Sequence, residues 1–161
     1  MKNTSLTNIL TTIKKERKME NFKTLELINN TLNFDKDGSS AIAYGLHQNG
    51  DTLTHEVIGR CADVYDLIES LEDTDNAKSF DYLSIVTWGW AAPLNADGEV
   101  DGAPSKHPER RRVKLIISGS NSEKGLIGSI LNFSDSPDEP VYDYGDATGS
   151  LNDAFIEFFN D

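Results

Sequence analysis

Cysteine occurs once in these 161 residues, at Cys61. No disulfide can close within the chain, and metal sites built on several thiolates are excluded. Basic residues are also scarce: 15 Lys and Arg stand against 27 Asp and Glu, a formal charge of −12. That balance opposes general affinity for nucleic acid or anionic membrane. No apolar run approaches the roughly 18 residues of a membrane span. No apolar signal core opens the chain, and Lys14 to Lys18 follow the weakly apolar start rather than precede it. A cytoplasmic location is expected. Missing too are a Walker loop, a nucleotide-binding glycine fingerprint, a His-Glu-x-x-His pair and a Gly-x-Ser-x-Gly elbow. No cofactor or metal is expected, and the balance lies against an enzyme.

What is present is the pattern of one folded domain, 37% hydrophobic and 26% charged. We divide the chain into an extension or weak helix over residues 1–20 and a single domain over 21–161. Leu6, Ile9, Leu10 and Ile13 have helical spacing, with Lys14, Lys15, Arg17 and Lys18 in the last turn. Phe22 to Phe34 suits helix or strand equally. Asn33, Asp35, Asp37 and Gly38 resemble the start of a calcium loop, but Tyr44 stands where a bidentate Glu is needed, so a turn is expected.

Ala41 to Gln48 and Asp51 to Ile58 flank Asn49-Gly50, which predicts a type I′ hairpin. A two-residue loop then pairs Leu46 with Leu53, Tyr44 with His55 and Ile42 with Val57, all on one face. His55 is expected buried beside Tyr44, and His47 solvated. Val64, Leu67, Ile68 and Leu71 predict a helix capped by Asp63, with Cys61 a packed residue just before it. Phe80 to Trp88 is apolar on both faces, as in a covered central strand. A long loop over Gly89 to Glu109 leads to strands at Arg112–Ser118 and Gly125–Phe133. Ser134 to Thr148, acidic and interrupted by Pro137 and Pro140, reads as loop. Ser150 opens a last helix with a capping-box pattern to Asp153, burying Leu151, Ala154, Phe155, Phe158 and Phe159.

The sum is an α+β fold, a five-stranded, mostly antiparallel sheet with packed helices in the order α-β-β-α-β-β-β-α. By topology alone that order matches the profilin, longin and roadblock families, and fold does not carry function with it.

One cluster gathers the unusual residue types. Trp88 stands just before the long loop and Trp90 at its start, with His107 near its end and Arg110, Arg111 and Arg112 directly after it. Guanidinium groups grip carboxylates or phosphates with two parallel bonds and stack on indole rings. Strand alternation predicts Arg110 and Arg112 on one face and Arg111 on the other. The cluster reads either as a binding surface or as a pin onto the chain's own carboxylates, near Asp138, Glu139 or Asp143.

The run Thr87-Trp88-Gly89-Trp90-Ala91-Ala92-Pro93 and the run His107-Pro108-Glu109-Arg110-Arg111-Arg112-Val113 resemble small acidic proteins encoded in actinobacterial and bacteriophage genomes. Ser136-Pro137-Asp138-Glu139-Pro140 and Gly149-Ser150-Leu151 extend the likeness, which covers roughly Phe80 to the end. The family brings no established activity and so implies no catalytic residues.

Three functions are weighed. The first is a non-catalytic binding or accessory protein, possibly phage-encoded, that meets a protein partner through the Trp90–Arg112 loop. The second is a hydrolase-like enzyme with His107 as general base and Arg110 or Arg112 holding an anion. The third is an acidic mimic of nucleic acid.

Overall fold

A computed structural model describes residues 20–32, 40–74, 76–143 and 150–160. The expected helix around Leu6–Ile13 and the calcium-like turn at Asn33–Gly38 lie outside those residues. Helix α1 covers residues 20–32, which makes the described part of the ambiguous Phe22–Phe34 stretch, up to Leu32, helical. Leu25, Ile28 and Leu32 form its buried stripe. The strands are β1 (Ala41–Asn49), β2 (Thr52–Cys61), β3 (Tyr82–Ala91), β4 (Arg111–Ser120), β5 (Gly125–Phe133) and β6 (Ser136–Asp143). Helices α2 (Val64–Leu71) and α3 (Ser150–Asn160) complete the order.

All neighbours pair antiparallel in one sheet of order β2-β1-β3-β4-β5-β6. The sheet has six strands rather than five, because the proline-bearing Ser136–Asp143 segment is paired. It is an edge strand, where proline removes no needed ladder donor, and a bulge between Leu131 and Phe133 loosens its register.

Helices cover both faces. On one, Ala43, Leu83, Ile85 and Ile117 pack with Leu67 and Leu71 of α2 and Phe155, Phe158 and Phe159 of α3. On the other, Ile42, Tyr44, Leu46, Val86, Ile116 and Ile130 pack with α1. β3 therefore has apolar residues on both sides, as the sequence predicts. Polar bonds fix the helices in place. Asn132 on β5 donates to Asn29 of α1 at 2.9 Å, both buried. Asp63 caps α2 by accepting the N–H groups of Tyr65 and Asp66. α3 begins at Ser150; its capping residue lies outside the described set.

The first hairpin departs from expectation in two ways. Asn49 pairs with Thr52, so the central residues of the turn are Gly50 and Asp51. Gly50 has φ +63°, and Lys124 is the only non-glycine residue with positive φ among the described residues. Positive φ at the first central position alone is the type II′ pattern, not type I′. Leu46 consequently faces His55 and Tyr44 faces Val57, and a bulge between Ala43 and Tyr44 brings Ile42 opposite Arg60. The shift is by two residues, so the faces do not swap, and His55 still meets Tyr44 edge-on at 5.9 Å. Yet His55 is exposed, because β2 is the sheet's outer strand. His47 is exposed as predicted, stacked on Phe80 at 4.7 Å with its Nδ1 3.8 Å from Asp81.

Candidate functional site

β3 runs three residues beyond the expected Trp88, and the connecting loop shrinks to residues 92–110. Both tryptophans are therefore strand residues. Trp88 stands opposite Lys114, and Trp90 opposite Arg112. Alternation puts all four on the face that carries α1.

Trp88 lies at the margin of the α1 cluster, with the Lys114 ammonium 5.9 Å from its ring centre. Its indole N–H is buried with no hydrogen-bond partner among the described residues. Lys114 is itself only 4% exposed, and its ammonium donates to the Leu32 carbonyl at 2.8 Å. Leu32 is the last described residue of α1.

Two residues along, Trp90 is 38% exposed. The Arg110 and Arg112 guanidinium carbons lie over its ring at 5.0 and 5.1 Å from the centre, within cation–π range. Arg110 also donates to the His107 carbonyl through Nη1. It makes no ion pair among the described residues and is exposed.

Arg111 turns the other way. It lies over the Phe133 ring at 4.0 Å and grips Asp135, with Nη2 2.6 Å from Oδ1 and Nε 3.0 Å from Oδ2. The hydrogen bonds from Arg111 hold the Asp135 carboxyl below its ordinary range, and Asp135 raises Arg111 in return. The arginines thus divide by face as alternation predicts. The carboxylate that takes Arg111 is Asp135, in the β5–β6 turn, rather than Asp138, Glu139 or Asp143. Sequence reasoning missed Asp135, Phe133 and Lys114. The structure's pairing of Val113 with Phe133 brings the first two beside Arg111, whereas the residues alone define the two strands without their register.

His107 is half-buried. Its Nδ1 accepts the Glu109 N–H at 3.0 Å, so the neutral ring carries its proton on Nε2. Its carbonyl takes the Arg110 N–H. A short turn at Pro104–Lys106 packs the loop back on β3. The loop's first half is self-bonded: Asn95 accepts the N–H groups of Asp97 and Glu99 and donates to Asp101. Gly98 and Gly102 supply the positive φ its turns require.

Among the described residues no group of three or more His, Cys, Asp or Glu side chains is placed to hold a metal. No helix among them is long and apolar enough to cross a membrane. Cys61 is half-buried at the margin of the α2–α3 cluster. Among the described residues, cavities of about 330, 430 and 100 Å³ lie elsewhere: under α1 beside Gln48 and Asp51, beside Lys78 and Asn121, and beside Tyr82 and Ser120. Burial raises the Tyr82 hydroxyl above its ordinary range. Comparison with protein-family models, curated proteins and solved structures found no match.

Proposed function

We propose that this protein is a non-catalytic binding protein, and that Trp90 and Arg110 form the centre of a surface that docks an acidic segment of a protein partner. One observation carries the reading. Trp90 is a large ring left 38% exposed, with the guanidinium of Arg110 laid over it and not spent on any carboxylate of the described residues. Exposed aromatic residues beside arginine are the side chains that dominate interfaces. Apart from the Nη1 bond to the His107 carbonyl, the N–H groups of Arg110 remain to grip a carboxylate.

The general-base reading gains less. One ring nitrogen of His107 is occupied by its own loop, and the groups bonded to the residue, from Pro104, Glu109 and Arg110, belong to that same loop. A base for hydrolysis needs a nucleophile or an orienting carboxylate within reach. The acidic-mimic reading needs one continuous ridge, whereas the exposed acids of the described residues are spread over α2, the 92–110 loop and β6.

The test is calorimetric titration with a Glu- and Asp-rich peptide, with tryptophan emission followed in the chains that keep Trp90. Binding should shift the emission of Trp90 and weaken as salt rises. Arg110→Ala and Trp90→Phe should each weaken it by about tenfold, a loss of about 1.4 kcal/mol. Arg111→Ala should bind as wild type, because its guanidinium is committed to Asp135. Equal binding by wild type and Arg110→Ala would reject the surface.

A further inference from the structure

The end of the sheet remote from Trp90 holds a second gathering of positive charge. There β3 begins, β4 ends and β5 begins. A cavity of about 430 Å³ lies between the short turn Ala77–Ser79, the β4–β5 turn and the last residues of α3. Its walls are Lys78, Asn121, Lys124, Phe159 and Asn160. Two lysines meet there, and no described acidic residue lines the space, although the chain holds 27 Asp and Glu. The neighbouring Glu123 lines the smaller cavity beside Tyr82 and Ser120 instead.

The walls are tied together. Asn121 Nδ2 donates to the carbonyls of Ala77 and Phe80 at 2.9 and 2.8 Å. Those bonds join the turn that carries Lys78 to the turn that carries Lys124. The Asn121 Oδ1 is buried, so that acceptor does not front the cavity. Lys78 gives one of its three N–H groups to the Phe158 carbonyl at 3.2 Å, with its ammonium 4.5 Å from the Phe158 ring centre. The Lys124 side chain makes no hydrogen bond or ion pair with a described residue. Its backbone is also unusual, with φ +54°. Glycine takes that conformation without strain and lysine does not. An ammonium therefore stands in the turn where the backbone alone favours glycine.

We propose that this cavity binds a phosphate group, held between Lys78 and Lys124. An ammonium is a compact point charge that suits phosphate, whereas a planar carboxylate is better matched by a guanidinium. The C-terminal end of α3 contributes about half a negative charge, which two ammonium groups outweigh. The volume exceeds what phosphate alone fills and falls within the range of small-molecule sites. Phe159 and Asn160 offer the remainder of an esterified ligand an apolar wall and an amide.

Amide NMR of the whole chain, titrated with inorganic phosphate at constant ionic strength, tests the inference. Signals of Lys78 and of residues 121–125 should shift and saturate, with a dissociation constant of about 1 mM. Sodium chloride over the same range should not reproduce the shifts. Lys124→Gly removes the ammonium and relaxes the turn. It should raise the dissociation constant by about tenfold without lowering the melting temperature. Lys78→Met should weaken binding similarly. Should it melt early for want of its bond to Phe158, Lys124→Gly decides. Arg110→Ala, at the other end of the sheet, should bind phosphate as wild type does. Glycerol 3-phosphate binding tighter than inorganic phosphate identifies an esterified phosphate as the ligand, and the reverse order free phosphate. Shifts that never saturate, or that chloride reproduces, overturn the proposal. So does undiminished binding by Lys124→Gly, or binding lost in Arg110→Ala.

Discussion

Arg111 and Asp135 form a two-pronged ion pair on the sheet face opposite Trp90, with the guanidinium carbon 4.0 Å from the centre of the Phe133 ring. Asp135 is held below the ordinary carboxylate range, chiefly by those hydrogen bonds. A carboxylate whose folded value lies below its unfolded value of about 3.9 stabilises the fold fully above that pH. The contribution is lost as pH falls through the depressed folded value. Carboxyl titration by NMR should show the Asp135 midpoint below the ordinary one and returning toward it in Arg111→Ala. Because both side chains are exposed, the same substitution should barely move the melting temperature at neutral pH. A marked drop would show that the pair pins the β5–β6 turn far more firmly than its exposure implies.

Lys114→Met keeps the apolar stem and removes the ammonium that donates to the Leu32 carbonyl of α1. A buried carbonyl stripped of its donor costs about 1–3 kcal/mol. Hydrogen exchange should locate the loss, with protection falling in α1 near Leu32 and holding in α2 and α3. Uniform loosening would mean that Lys114 acts through the sheet and not through its bond to Leu32.

Gly128→Ala should be among the more damaging single-methyl additions. Gly128 has φ +150° and stands opposite Ser118, next to a bulge. A Cβ there would meet the Asp143 carbonyl oxygen and come within 2.7 Å of Leu25 Cδ1. Overpacking of a tight core costs about 1–3 kcal/mol. Thermal melting should show the decrease, and Leu25→Ala in the same chain should not add its full penalty to it, because the two share the site.

Removing α3 should leave no cooperative fold. Phe155, Phe158 and Phe159 are each at most 2% exposed and pack together against the sheet. Phe155→Ala alone should cost about 3–5 kcal/mol, a large part of a typical margin of about 5–15 kcal/mol. A chain ending at Gly149 should aggregate. Its recovery as a soluble protein with an unchanged melt would show that the core lies elsewhere.

Much of this fold is local in origin and was legible in the residues. Apolar positions at 3.6-residue spacing define α2 and α3, Asp63 caps α2 because a carboxylate meets free amides there, and two-sided hydrophobicity marks β3 as a covered strand. Period-two alternation was enough to send Arg110 and Arg112 one way and Arg111 the other. These follow from backbone geometry acting over a few residues, and no distant contact is needed to read them.

The rest depended on contacts far apart in the chain. His55 has a core-facing position by alternation, yet it is exposed, since nothing in its own segment says that β2 ends the sheet. The hairpin turn moved by one residue because Gly50 alone supplies the positive φ, and register then followed the whole β1–β2 pairing. The Ser136–Asp143 segment is a strand in spite of two prolines because an edge needs donors on one side only, and being an edge is a property of the sheet. In the candidate site, the residue types were plain in the sequence. That Trp90 would lie under Arg110 and Arg112 while Asp135 took Arg111 was decided by the pairing of β3 with β4 and β4 with β5, which sets side chains from different segments within bonding distance.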